Sequence, residues 1–209
     1  MSQVKDIIDG IKHRLPDRVN IYPSLNRAVR LIAKRLMYHD SSFVRGALSV
    51  TVAEDGTSGA LPSDFWGLAG KPYIYGKKRF LEPIPDQRYK LLYTTVSEPR
   101  YYELSGTTLN LYPGTSSEIS IRGMYWARPA ELDDPTDTMP YNELFDDVIS
   151  EALIHIYGTG MTTGNTAELQ MMTAMINQAV DEIVPYIDKQ APRIADDYLN
   201  LNYYEWDNG

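Results

Sequence analysis

The chain has 209 residues, of which 43% are hydrophobic and 23% charged, and this composition excludes collagen-like, coiled-coil and wholly disordered proteins. It contains no cysteine, which excludes a disulfide framework, a thiolate metal site and a cysteine nucleophile. No stretch approaches the roughly 18 consecutive apolar residues of a membrane-spanning helix, so we expect a soluble protein that is not exported.

The net charge of -8 is unevenly distributed along the chain. Residues 1–45 carry nine Lys or Arg against four Asp or Glu, whereas residues 131–209 carry two against sixteen. Between them, residues 46–130 are nearly balanced, with nine against eight. Such a polarity fits an ionic contact between copies of the chain, or a field presented to a charged partner.

The first section predicts two helices. Apolar residues recur at helical spacing from Val4 to Ile11, before Pro16, and again after Ser24 from Leu25 to Met37. A basic stripe lies on another side of the second helix, and its members are Arg27, Arg30, Lys34 and the adjacent Arg35. The stripe is either a solvated surface or a contact for acidic groups or phosphate.

From about residue 43 the pattern becomes that of short strands. Runs rich in β-branched and aromatic residues, bounded by turn residues, occupy 43–52, 73–76, 88–96, 101–113 and 118–127. Gly106 is the predicted turn residue of a hairpin within 101–113. Short strands at this spacing, with no helix between them, predict an antiparallel β sandwich or barrel.

Helical periodicity returns after the polar connector 127–140. One stripe runs from Leu144 to Ile156 and ends at glycines, and a last helix extends from a predicted cap at Asn165 to Pro185. We therefore predict an α+β fold, a four-helix body with an inserted antiparallel β module. The predicted divisions are 1–42 (N-terminal helices), 43–130 (β module), 131–190 (C-terminal helices) and 191–209 (an extended arm).

The predicted arm combines aromatic and acidic residues without a regular period. Disordered termini are usually poor in aromatic residues, because large apolar side chains are costly to leave in water. We predict that this segment orders against another polypeptide, with packing on its own domain as the alternative. The candidate contact residues are Ile194, Tyr198, Leu201, Tyr203, Tyr204 and Trp206.

The sequence predicts no catalytic, cofactor or metal site. Gly158, Gly160 and Gly164 do not have the dinucleotide-binding spacing, and they follow a helix rather than a strand. Asp147, Glu151 and His155 share a helix side, where they form either a metal or acid–base site or a solvated surface. The solvated surface is favoured because no second cluster converges on them, so we predict a protein that is not an enzyme.

The tyrosines of the β module suggest an alternative function. Stacked aromatic rings bind sugars or bases, and the chain has 16 tyrosines, many of them within residues 73–125. The alternative is therefore a carbohydrate-binding β module on a helical oligomerisation stem. Sequence-specific recognition of nucleic acid is disfavoured by a pI of about 4.9 and by the lack of a recognisable reading motif.

Three phrases resemble the head-to-tail adaptor proteins of tailed bacteriophages, also called head-completion or neck connector proteins. They are LPSDFWGLAG (61–70), SGTTLNLYPG (105–114) and the long run 118–158. The residues that match family elements are Leu61, Pro62, Asp64, Phe65, Leu111, Tyr112, Pro113, Tyr125, Pro129 and Leu132. Trp126, Ala127 and the long aromatic C-terminus depart from the family pattern, and the resemblance covers residues 20–160.

This resemblance implies a virion protein of the neck, assembled in the host cytoplasm. Members form a dodecameric ring beneath the portal, extend the DNA channel without reading sequence, and give the next tail or nozzle protein a docking surface. A terminal arm holds the portal, which here implies the arm residues named above. The opposite charges also fit head-to-tail contacts around a ring, in which the basic stripe meets a carboxylate surface. The candidate carboxylates, which could instead line the channel, are Asp146, Asp147, Glu151, Asp181 and Glu182.

Overall fold

The computed structural model describes residues 2–15, 20–77, 79–93, 95–141, 143–158 and 166–187. The chain divides into two compact units, and the fold is α+β. One unit is helical and takes the described residues of Met1–Ser42 and Tyr141–Gly209, and the other is a β unit of Phe43–Pro140. The unit Phe43–Pro140 includes the polar connector 127–140.

The helical unit contains four α-helices among its described residues. They are α1 (Val4–Ile11), α2 (Tyr22–Tyr38), α3 (Asp146–Gly158) and α4 (Thr166–Ile187). Helix α2 packs against both α3 and α4, and α1 packs against α3. The apolar stripe of α2 is buried from Leu25 through Ile32 to Leu36, and Met37 at its end is half-buried. Tyr141 is also buried in this core, where its hydroxyl donates to the carbonyl of Val29 at 3.0 Å.

Two helix ends differ from the sequence prediction. Helix α2 begins at Tyr22, before the expected Ser24, and has Pro23 in its first turn. Proline is tolerated there because the first-turn amides have no partner within the helix. Helix α4 continues past Pro185 to Ile187, although proline has no backbone N–H to donate to the carbonyl four residues earlier.

The described residues of the β unit form eight strands in two sheets. The strands are β1 (Arg45–Val52), β2 (Ser58–Ala60), β3 (Phe65–Leu68), β4 (Tyr73–Ile74), β5 (Glu82–Pro83), β6 (Tyr101–Ser105), β7 (Thr108–Tyr112) and β8 (Ile119–Ala127). In the first sheet the order is β1–β8–β3, and β4 also pairs with β8. In the second sheet the order is β2–β7–β6–β5. Neither sheet closes into a barrel in the part of the chain that the structure describes.

The core of the β unit follows from the alternation of side chains along the strands. On β1 the even-numbered Leu48, Val50 and Val52 are buried while the odd-numbered positions between them are exposed. They form one cluster with residues from both sheets, which are Ile74, Leu109, Leu111, Ile119, Ile121 and Tyr125, and with the loop residues Leu61 and Leu81. The predicted hairpin at 101–113 is confirmed, with Gly106 at a φ of 57° in the turn between β6 and β7.

The predicted strand at 88–96 is wrong. Residues Gln87–Leu91 form a 3-10 helix instead. The reason is local capping, because the carboxylate of Asp86 accepts a hydrogen bond from the backbone amide of Arg88 at 2.8 Å and so starts a turn. The short strand β5 pairs with β6 in parallel, so the second sheet is not wholly antiparallel as predicted.

Candidate functional site

The basic stripe of α2 divides into exposed and bonded members. Arg27 and Lys34 are exposed. Arg30 is half-buried, and its Nε donates to the carbonyl of Asn26 at 3.1 Å. Arg35 is half-buried as well, and it is bonded to a carboxylate of α4. The two exposed cations are therefore the members most available to a partner.

Arg35 and Asp181 form a two-pronged ion pair within the helical unit. Arg35 Nε lies 2.6 Å from Asp181 Oδ1, and Nη2 lies 2.5 Å from Oδ2. His39 Nε2 also lies 2.7 Å from Oδ1. These hydrogen bonds, that of Arg35 first, lower the pKa of Asp181 to about 2. The sequence placed Arg35 and Asp181 on opposite interaction surfaces, and the structure brings them together in one chain.

The same ion pair fixes an exposed aromatic side chain. The guanidinium of Arg35 lies 4.5 Å from the ring centroid of Tyr38, which is 75% exposed. His39 contacts the Tyr38 ring edge-on, with centroids 5.5 Å apart. Because Arg35 and His39 are both bonded to Asp181, their contacts restrict the rotamers of Tyr38 before any partner binds. An exposed aromatic side chain that loses little conformational entropy on binding is typical of an interface.

The predicted acidic residues of α3 and α4 also divide in two groups. Glu151 pairs with Arg14 at 3.1 Å, and Asp146 accepts a hydrogen bond from the hydroxyl of Ser2. Burial raises the pKa of Asp146, so this carboxylate is poorly placed to present charge to a partner. Asp147 and Glu182 are exposed.

Three further motifs predicted from sequence lie on α3 of the helical unit or beyond it. Asp147, Glu151 and His155 lie on α3, and the structure finds no group of three or more metal-ligating side chains among the described residues. Of the three glycines, Gly158 is the last residue of α3. Gly160 and Gly164 lie in the stretch 159–165, outside the described residues. The predicted arm, from Ile194 to Trp206, lies outside them as well.

An apolar loop of the β unit is a contact candidate that the sequence analysis missed. Leu91 is 78% exposed and Leu92 is 72% exposed, at the end of the 3-10 helix. Val96, further along the loop, is 42% exposed. A buried strand requires an apolar run, and an exposed loop with adjacent leucines shows the same run. The sequence pattern therefore predicted a strand where the loop lies.

This Leu91–Leu92 loop is tied to the second sheet through Glu103. Lys90 Nζ lies 2.8 Å from Oε1 and 2.7 Å from Oε2 of Glu103, and Gln87 and Tyr112 each donate to the same carboxylate at 3.1 Å. These donors, Lys90 first, lower the pKa of Glu103. After the loop, the amide of Ser97 donates to the carbonyl of Gly114 at 2.8 Å. The exposed leucines therefore sit on a loop that is held at both ends.

Residues of the three family-like phrases pack together in the β unit, and the third phrase continues into α3 of the helical unit. The hydroxyl of Tyr125 donates to Asp64 at 2.8 Å, and the Tyr125 ring stacks on Phe65 with centroids 5.7 Å apart. Leu61 and Leu111 belong to the same buried cluster. The rings of Tyr93 and Tyr101 contact each other with centroids 5.7 Å apart, whereas Tyr112 bonds Glu103 and Tyr75 is stacked on Arg122. The sugar-binding alternative stays a prediction.

A protein-family model described as SU10 adaptor protein matches residues 2–199 of this chain. The chain belongs to the SU10 adaptor protein family. The match extends over nearly the whole chain and includes the three phrases that suggested a head-to-tail adaptor, so that resemblance is confirmed. No curated protein matches the chain. None of the described helices is long and apolar enough to span a membrane.

Family membership sets the broad role of this adaptor. It is a structural protein of a bacteriophage and a component of the virion, where it contacts other proteins of the head and tail. A structural adaptor family suggests a protein that is not an enzyme, so the surfaces through which it assembles are of first interest. The exposed charges of the helical unit and the Leu91–Leu92 loop are therefore the candidate contact surfaces.

Proposed function

We propose that this adaptor forms a dodecameric ring beneath the portal, extends the DNA channel and provides the docking surface for the next tail or nozzle protein. The observation that carries the proposal is the family match across the chain, taken with the exposed charges that intrachain pairing leaves over. In this proposal the β unit is a sandwich of its two sheets, which share a core.

The ring contact is assigned to exposed opposite charges. Arg27 and Lys34 on α2 of one copy face Asp147 on α3 and Glu182 on α4 of the next. Two different surfaces of one subunit then meet, which gives a head-to-tail interface that closes into a ring when its rotation closes. Arg35 and Asp181 are left out of this contact, because they already satisfy each other within one chain.

The portal contact is assigned to the C-terminal arm, on the basis of its composition. Ile194, Tyr198, Leu201, Tyr203, Tyr204 and Trp206 supply the large apolar area that interfaces favour. The genome passes the ring without base recognition, since the surplus of carboxylates in residues 131–209 repels phosphate wherever it faces the channel.

The tail contact is assigned to the Leu91–Leu92 loop. Its leucines are exposed in the single chain, and such large apolar side chains mark a binding surface when they are held in place. Glu103 holds them by accepting hydrogen bonds from Gln87 and Lys90.

The deciding experiment is negative-stain imaging of the full chain mixed with the portal. We expect the chain alone to be monomeric or weakly associated, and to form a ring on one face of the portal when the two are mixed. A variant that lacks residues 194–209 should keep the circular dichroism of the parent and lose portal binding. If the truncated chain still bound the portal normally, the arm assignment would be wrong.

A further inference from the structure

We propose that the outer side of α2 in one adaptor packs along the outer side of α4 in the next, with Tyr38 as the main anchor. The inference rests on the proposed ring and deepens it, because it turns a contact between exposed charges into a packed helix–helix interface. Both helices belong to the helical unit. The outer side of α2 consists of its exposed residues, which are Pro23, Arg27, Lys34 and Tyr38.

The exposed residues of α2 lie on one line. Arg27 and Lys34 are seven residues apart, and Tyr38 follows four residues later, a spacing that keeps side chains on the same side of a helix. The buried Leu25 and Leu36 are on the opposite side, in the core. The line therefore faces away from its own core and carries two cations and one large ring.

Tyr38 has the features of a residue that dominates a protein interface. Its ring is largely exposed, although the guanidinium of Arg35 and the ring of His39 both contact it. Both neighbours are bonded to Asp181, so the ring is oriented before a partner arrives. Tyrosine is enriched among the residues that carry most of the binding energy, and an oriented ring loses little entropy when it is covered.

The outer side of α4 presents large apolar side chains. Met171 is 64% exposed and Tyr186 is 69% exposed, near opposite ends of the helix. The exposed residues at helical spacing along this side are Met171, Ala174, Gln178, Glu182, Pro185 and Tyr186. Glu182 is the one charged member, and its carboxylate accepts a hydrogen bond from Gln178 at 3.1 Å. A solvated helix side carries mostly charged and polar residues, so this composition indicates a surface that a partner covers.

Charge favours α2 of another copy as the partner of this α4 surface. Two outer sides of α2 would bring Arg27 and Lys34 against their own counterparts, and two outer sides of α4 would bring Glu182 against Glu182. Like charges held together are unfavourable, whereas α2 against α4 places cations near a carboxylate. The mixed pairing also joins two different surfaces of the subunit, which is the kind of contact that closes into a ring.

Equal spacing along the two helices defines the register. Eleven residues separate Arg27 from Tyr38, and eleven separate Met171 from Glu182. At roughly 1.5 Å per residue, both intervals are about 16 Å. An antiparallel arrangement therefore lets Tyr38 meet Met171 while Arg27 meets Glu182. A thioether against an aromatic ring and a cation against a carboxylate are both favourable contacts.

The absence of cysteine from the chain makes a direct test possible. In this register Leu31 lies opposite Gln178, since each is seven residues from Tyr38 and from Met171, respectively. Chains with Leu31→Cys are mixed with chains with Gln178→Cys under mild oxidation, at high concentration, with and without the portal. The matched control replaces Gln178→Cys by Ser105→Cys, an exposed position on β6. We expect the first pair to form a disulfide at least about tenfold faster than the control pair, because packing raises the effective concentration of the thiols.

Variants of this pair test the role of the ring. Adding Tyr38→Ala should reduce the disulfide rate about tenfold or more, whereas Tyr38→Phe should keep most of it, because the ring rather than the hydroxyl packs. Phe80→Ala is the matched control, since it removes another exposed ring and should leave the rate unchanged. Thermal melting checks that each variant folds, and if Leu31→Cys fails to fold, Lys34→Cys with Ala174→Cys tests the same register.

The outcomes separate this inference from the proposed ring. Equal disulfide rates for Gln178→Cys and Ser105→Cys would overturn the helix pairing, and so would faster bonding among chains of Leu31→Cys alone or of Gln178→Cys alone. An undiminished rate with Tyr38→Ala would overturn the anchor. With both cysteines in one chain, cross-linked ladders beyond the dimer support the ring, whereas a preferred disulfide that stops at closed dimers keeps the helix pairing and rules out the ring. Rings on the portal without the preferred disulfide keep the ring and overturn the pairing.

Discussion

The hydroxyl of Tyr125 donates a 2.8 Å hydrogen bond to the carboxylate of Asp64, which lies 61 positions earlier in the chain. Phe65, the next residue, stacks on the Tyr125 ring. Asp64 and Phe65 come from the phrase LPSDF, and Tyr125 comes from the third family-like phrase. Residues of the three family-like phrases that lie in the β unit are therefore parts of one packing cluster, which gives them a structural role in that unit.

We predict that Tyr125→Phe destabilises the β unit by about 1 kcal/mol, the usual cost of one such hydrogen bond. Burial, and then the bond to Asp64, raises the pKa of Tyr125 from 10.0 to about 12. A raised pKa stabilises the fold below pH 10, and this contribution is lost as the pH rises from about 10 to about 12. Chemical denaturation across this range should show a weaker alkaline loss for Tyr125→Phe than for the parent.

The matched control for that measurement is Tyr186→Phe, which removes a hydroxyl from a ring that is 69% exposed on α4. It should leave both the free energy of unfolding at neutral pH and the alkaline dependence unchanged. An alkaline profile of Tyr125→Phe identical to that of the parent would contradict the prediction.

We predict that Asp181→Asn makes the helical unit less sensitive to acid. Arg35 and then His39 lower the pKa of Asp181 from 3.8 to about 2. A lowered pKa stabilises the fold above about pH 4, and the contribution is lost as the pH falls from about 4 to about 2. The melting temperature of the variant should be below that of the parent at pH 7, and the two should converge near pH 2.

Asp147→Asn is the control for the acid series, because Asp147 is exposed on α3. It should follow the parent throughout. If the Asp181→Asn melting temperature fell with acid as steeply as that of the parent, the ion pair with Arg35 would contribute nothing measurable.

We predict that Leu91→Ser combined with Leu92→Ser leaves the subunit folded and abolishes docking of the next tail protein. The two side chains are 78% and 72% exposed, so the folded chain loses little buried area. The melting temperature should stay within about 2 °C of the parent, as for surface substitutions in general. Co-sedimentation of portal–adaptor rings with the tail protein is the measurement.

A buried leucine of the same unit supplies the contrast. Leu109 is 0% exposed in the β core, so Leu109→Ser should unfold the β unit or destabilise it by about 3 kcal/mol or more. A large loss of stability in the Leu91 and Leu92 double variant would show that the loop packs within its own chain and is not a docking surface.

We predict that reversing the exposed charges weakens the ring. Arg27→Glu with Lys34→Glu should reduce assembly on the portal, and so should Asp147→Lys with Glu182→Lys. Exposed pairs contribute about 0.2–1 kcal/mol each, so the loss per interface is modest but is repeated around the ring. Combining all four changes in one chain should restore assembly, as measured by sedimentation velocity at low salt. Failure of the combined variant to recover, with its fold intact, would place these charges outside the ring contact.

The helices and the longest strands could be predicted from sequence because their periodicity is strong. Val4 to Ile11 is helical as predicted, and the alternation of Leu48, Val50 and Val52 placed the core side of β1 correctly. Strands β2 and β5 escaped prediction because they are too short to show a period, whereas the equally short β4 lies within the predicted run 73–76. Their positions depend on neighbours distant in the chain.

The candidate contacts were harder to predict than the fold. Charge patterning found the basic and acidic groups, but it could not show that Arg35 and Asp181 bind each other across 146 positions. The Leu91–Leu92 loop was taken for a strand because an apolar run looks the same whether it is buried or displayed. The loop is anchored by Glu103, which accepts hydrogen bonds from Gln87 and Lys90. Glu103 lies outside residues 88–96, so the pattern within that run could not predict this contact.

The attachment of the Leu91–Leu92 loop at both ends has a kinetic consequence. Since Lys90 is bonded to Glu103 and Ser97 to Gly114 before any partner arrives, docking has little chain disorder to remove. For the proposed docking, we therefore expect capture without a slow folding step and association rates in the range of rigid surfaces. The proposed docking surface would then need little rearrangement of the chain when the next tail protein arrives.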